Sequence, residues 1–192
     1  MKYRRSIRIL HALFALGIAL QLALSTFMRQ PRIGRTRTAV EALGFTVHQY
    51  VGLALLAILV VHWLLHAARD ADKGLGYFFP WLSGERMRRL AAEVSELLRL
   101  KVDPPETNDA LAGAIQGLGL VVATVLAVTG GLVYAGMAGD GAMSETTRAI
   151  RRVHTTFAPL MWGYVGIHVA AVLVHLAAGH RSILAIFRLR AG

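Results

Sequence analysis

Cysteine is absent from the 192 residues. That excludes disulfides, zinc ribbons, iron–sulfur clusters and covalent haem attachment through C-x-x-C-H. Charge is scarce as well: 17% of residues are charged where soluble domains carry about 25%, and only eleven are acidic. The twenty-one basic residues leave a net charge of +10, which alone would suit a nucleic-acid partner, yet 55% of the chain is hydrophobic and its mean hydropathy is +0.51. A lipid bilayer is therefore the better solvent, no nucleic-acid partner is expected, and the basic residues are read first for topology. Histidine, present eight times, is the one plentiful metal ligand left.

Four long uncharged windows divide the chain, 9–28, 42–68, 110–139 and 153–180. Each exceeds or meets the roughly 20 apolar residues that cross a hydrocarbon layer as a helix. The first window follows Lys2, Arg4, Arg5 and Arg8 in the charge order of a secretory signal, but at 20 residues it is longer than an apolar signal core of about 7–15 residues. It is expected as a first span. The fold class is thus an all-α integral membrane protein, a single domain over 1–192 built as a four-transmembrane-helix bundle. Lys and Arg number fourteen on the side holding both termini and the 69–109 loop, and seven on the other. The positive-inside bias places that loop and both termini in the cytoplasm.

Within the loop, Met87, Leu90, Ala91, Val94, Leu97 and Leu98 recur at helical spacing between charged residues, predicting an amphipathic helix over Ser83 to Lys101 with Ser83 as a weak N-cap. It would lie on the membrane surface or dock a cytoplasmic subunit. Asp103-Pro104-Pro105 ends it before span three.

Ionisable side chains at membrane depth are rare and usually functional. His48 and His62, like His154 and His168, are 14 residues apart, a rise of about 21 Å with a rotation only about 40° from the same helix face. Spans two and four can each present two imidazoles inward, one near each membrane surface. Two such imidazoles at equal depth can ligate a haem iron from both sides, held non-covalently as b-type. With both axial positions filled, the natural task is electron transfer. His66, His175 and His180 individually fit a packing or interfacial role. Gly17, Gly52, Gly130 and Gly131 would let a macrocycle approach the backbone or would serve close helix packing.

The chain resembles the prokaryotic cytochrome b561 superfamily, similar in plan to the di-haem cytochrome b subunits of formate dehydrogenase and nickel–iron hydrogenase. The likeness rests on Arg8-Ile-Leu-His11-Ala, His48-Gln-Tyr-Val-Gly52, Thr129-Gly130, His154, and Ile167-His168 through His175. It implies two b haems, one between His48 and His154 near the periplasmic face and one between His11 and His168 near the cytoplasmic face. His62 competes with His11 for the latter. It also implies the bacterial inner membrane as location and quinone as redox partner, with a periplasmic or cytoplasmic redox subunit as a further possible partner. Asn108 and Gln116, at the start of span three, are the polar side chains placed for a quinone carbonyl.

Seven arginines fall on the outer side: Arg29, Arg32, Arg35, Arg37, Arg148, Arg151 and Arg152. They could pair with haem propionates, bind lipid phosphates or steer an anionic donor, with propionate pairing expected first for Arg151 or Arg152, next to His154. Function then divides three ways: a membrane cytochrome moving electrons between a redox partner and quinone, alone or as subunit of a larger oxidoreductase; a self-sufficient quinone-linked superoxide oxidase; or an anchoring subunit with structural histidines.

Overall fold

A computed structural model describes residues 5–67, 75–99, 101 and 109–187. Its helices are α1 (Arg5–Phe27), α2 (Ala39–Ala67), α3 (Leu75–Phe78), α4 (Gly84–Leu98), α5 (Asp109–Gly136) and α6 (Glu145–Ala177), with 3-10 turns at Pro80–Leu82 and Arg181–Phe187. Among the described residues there is no strand beyond two isolated bridges. Helices α1, α2, α5 and α6 are long and apolar enough to cross a membrane. Large apolar side chains remain exposed along them, Leu16 at 70% and Ile167 at 66%, the surface expected of helices whose solvent is lipid.

Helix starts are set by caps, not by the last charged residue. Thr38 and Glu41 form a capping box: Glu41 N–H donates to Thr38 Oγ1 at 3.2 Å and Thr38 N–H to Glu41 Oε2 at 2.9 Å. Helix α2 therefore begins three residues before the expected window. Ser144 Oγ accepts from Thr147 N–H at 3.1 Å, so α6 starts at Glu145 and carries Arg148, Arg151 and Arg152 on the helix itself.

Two units describe the chain. The first comprises residues 10–61 and 122–162. Its buried side chains include Leu22, Leu24, Leu55, Leu59, Ala123 and Met161. The loop 28–38 turns at Gly34 (φ 75°), and Gly141 (φ 87°) packs on the carbonyl of Pro31 so closely that any Cβ would collide with it. Positive φ and that close approach both demand glycine there.

The other unit comprises residues 1–9, 62–121 and 163–192. Its buried residues include Phe78, Pro80, Ala110, Ala114 and Leu120. The carbonyls of Tyr77 and Phe78, at the end of α3, lie on Gly113 and Gly117 of α5, where an added Cβ would collide. Phe79 stacks on Trp63 at 6.1 Å between ring centroids and meets Trp81 at 5.4 Å. Helix α4 covers most of the stretch expected to be helical, but Ser83 makes no side-chain cap. Instead, Glu93 of α4 accepts from Leu111 N–H at 2.7 Å and Ala110 N–H at 3.2 Å. A carboxylate from a neighbouring helix thereby satisfies two orphan donors at the positive end of α5.

Candidate functional site

His48 stands nine residues past the first residue of α2 and His154 nine past the first of α6, both half-buried. Their ring centroids are 6.3 Å apart and their planes meet at 87°. Two imidazoles bound to one metal at about 2.0–2.1 Å each, with roughly another 1.1 Å from nitrogen to ring centre, have centroids about 6.3 Å apart. The separation of the two rings would let both imidazoles bind one ion between them.

The tautomer of His154 follows from its partners. Nδ1 lies 3.0 Å from the carbonyl oxygen of Leu126 and 3.1 Å from Thr129 Oγ1. A carbonyl only accepts, so Nδ1 carries the proton and Nε2 keeps the lone pair a metal needs. Thr129 donates its own proton to Val125 O. The Nδ1 of His48 is buried without a hydrogen-bond partner, and its main-chain oxygen accepts from Gln21 Nε2 at 2.8 Å. No three His, Asp or Glu residues gather among the described residues. A metal held by protein groups alone takes about four ligands, whereas a haem supplies four equatorial nitrogens itself and asks the chain for two imidazoles. The donor set fits haem.

The glycines lie against neighbouring side chains. A Cβ on Gly130 would stand 3.1 Å from His154 Cε1, so this residue makes room for the imidazole. Gly17 lies against Leu55, Gly131 against Leu56, and Gly52 against Gln21 Nε2. Arg151 is half-buried and Arg152 exposed. Arg151, three residues before His154, shares its helix face, and Arg152 does not. Three other outer arginines are engaged in the loops themselves: Arg29 pairs with Glu41 at 2.7 Å, Arg37 donates to Arg29 O at 3.1 Å, and Arg148 donates to Met143 O at 3.0 Å.

In the other unit, His168 is half-buried and stacks on Tyr164 at 5.7 Å and 23°. Gly119 lies beneath Tyr164 so closely that a Cβ would collide with the phenol ring. His62 has its ring 6.4 Å from that of Phe78, and Gln116 is half-buried one residue before Gly117. His11 is half-buried on α1 in the first unit. Asn108 lies outside the described residues.

Sequence reasoning missed Gln21, Leu126 and Tyr164 as neighbours of the imidazoles. It also missed a cleft of about 480 Å³ lined by Arg37, Phe45, Thr46, Gln49, Tyr134 and Met137 among others. These lining residues come together only when the 28–38 loop meets the end of α5, which no local pattern announces.

A family model described as prokaryotic cytochrome b561 matches residues 2–188. No match is found among curated proteins or among solved structures.

Proposed function

The chain belongs to the prokaryotic cytochrome b561 family, and on that premise we propose that it carries two b haems and passes electrons between a redox partner and quinone. The family supports the coarse statement directly: a multi-pass bacterial membrane protein of the b-type cytochromes, working in electron transfer. The His48–His154 pair, at the separation of two axial imidazoles and with one tautomer fixed, is the observation that carries the finer reading.

In this reading His48 and His154 hold one haem, and Arg151 faces its propionates. His168 holds the other with His11, and His62 is the alternative to His11. Tyr164 keeps the plane of His168 in place by stacking, and Gly119 keeps Tyr164 there. Haem, when bound by these imidazoles, would supply one-electron chemistry. The chain's contribution is to fix each imidazole plane before any electron moves, so that little rearranges on reduction. Gln116 and Asn108 are the proposed donors to a quinone carbonyl. The 14 basic residues on one side support an inner membrane location with both termini, α3 and α4 on the cytoplasmic side.

Addition of a soluble quinol analogue to the purified, oxidised protein should produce the sharp reduced α-band of a low-spin b haem. An unchanged spectrum, with dithionite still reducing the haem, contradicts the quinone assignment. His11→Ala and His62→Ala then divide the ligand alternatives, since the true partner of His168 removes the same haem as His168→Ala.

Exposed Arg32, Arg35 and Arg152 favour one second reading, an outer surface that gathers a small anionic electron donor such as superoxide. It expects superoxide oxidation by the isolated chain, falling as salt rises.

A further inference from the structure

Helix α6 ends in a Schellman cap. Gly179, with φ 85°, is the left-handed residue; its N–H donates to Leu176 O at 3.0 Å and the following His180 N–H donates to His175 O at 2.9 Å. This motif brings the side chain five positions after the third-last helical residue back over it, and the contact is usually apolar. Here both positions are histidine. The Nδ1 atoms of His175 and His180 are 3.2 Å apart, with ring centroids at 5.5 Å and planes at 44°.

We propose that His175 and His180 form a binding site for one divalent transition-metal cation of zinc or copper type, separate from the haem ligands. Two nitrogens each about 2.0–2.1 Å from a tetrahedral metal lie roughly 3.3 Å apart, close to the separation observed. The bite is set by the backbone cap rather than by free rotamers, so little side-chain ordering accompanies binding. The C-terminus of α6 carries the negative end of the helix dipole, which favours a cation at this terminus. Imidazole is a ligand suited to zinc, copper and nickel, and too soft for magnesium or calcium. Water fills the remaining coordination positions.

The test uses the haem-loaded protein in detergent, purified without an oligohistidine tag and titrated with Zn²⁺ against a chromophoric zinc indicator. The unaltered chain should take up one equivalent that His180→Gln and His175→Gln each weaken by about tenfold or more. Gly179→Ala should weaken the same equivalent while replacing no ligand, because alanine is strained at this φ although the space around it is open. The haem spectrum should be unchanged in the His180→Gln and Gly179→Ala proteins. Equal zinc uptake in all four proteins overturns the site. Should a variant fail to assemble, the unaltered chain still decides. The electron paramagnetic resonance of one equivalent of Cu²⁺ should show coupling to two imidazole nitrogens, and coupling to none or one contradicts the proposal.

Discussion

The Nδ1 of His154 stands 3.0 Å from the carbonyl oxygen of Leu126, 28 residues away on α5. This one bond joins two long helices, orients the imidazole and leaves Nε2 as the free lone pair. A ring so placed needs no rearrangement to meet a metal, which is how an electron-transfer protein keeps its reorganisation small. Three features around it give separate tests.

Thr129→Val removes the second acceptor of the His154 Nδ1 proton and nearly preserves shape. A single hydrogen bond contributes about 0.5–1.5 kcal/mol, and for a one-electron couple roughly 59 mV corresponds to a tenfold change in equilibrium. With less hydrogen bonding the imidazole donates less electron density and stabilises the oxidised iron less. The midpoint potential of the His48–His154 haem should rise by about 20–60 mV in a redox titration, with the other haem unmoved. A fall, or a shift confined to the other haem, contradicts the assignment.

Gly130→Ala and Gly119→Ala should separate the two sites. At Gly130 the new Cβ presses on His154; at Gly119 it displaces Tyr164, whose ring stacks on His168. Each substitution should broaden or deplete the spectrum of one haem and leave the other unaltered, as read by low-temperature difference spectra of the two purified variants.

Arg151→Gln should lower the potential of the His48–His154 haem, because a nearby positive charge favours the reduced, less positive iron. At an effective dielectric constant of about 20 and a distance of roughly 10 Å the interaction is about 1.7 kcal/mol, a shift on the order of 70 mV before screening. Arg152→Gln, on a different and exposed face, should shift the potential by far less. Equal shifts for the two contradict the propionate role of Arg151.

Glu93→Ala should loosen α4 from α5. Loss of a cap costs about 0.5–2 kcal/mol, and here two N–H groups lose their acceptor. Limited proteolysis should cut the 69–109 region faster, with the His48–His154 spectrum unchanged. Identical cleavage rates would show that Glu93 does not hold the two helices together.

The four spans were legible because the bilayer imposes length and apolarity on each helix by itself. The starts of α2 and α6 were missed: counting from charged residues put α2 three residues and α6 eight residues too late, because the caps at Thr38–Glu41 and Ser144–Thr147 set them. The histidine spacing pointed to His48, His62, His154 and His168 as inward positions, and the family resemblance paired His48 with His154, whose rings stand 6.3 Å apart. What stayed hidden joins distant segments: Leu126 O holding His154, Glu93 capping α5, and the carbonyls of Tyr77 and Phe78 lying on Gly113 and Gly117. Carbonyl groups carry no residue identity, so a sequence gives no sign of which one receives a proton. The His175–His180 contact was local and missed for another reason, since each histidine taken alone fits an interfacial role and only the Gly179 turn joins them.

Haem stoichiometry by the pyridine haemochrome assay, on the unaltered chain and on His154→Ala, tests the central assignment most directly. The account predicts two b haems per chain falling to one when His154 is replaced. A stoichiometry unchanged by the substitution contradicts it.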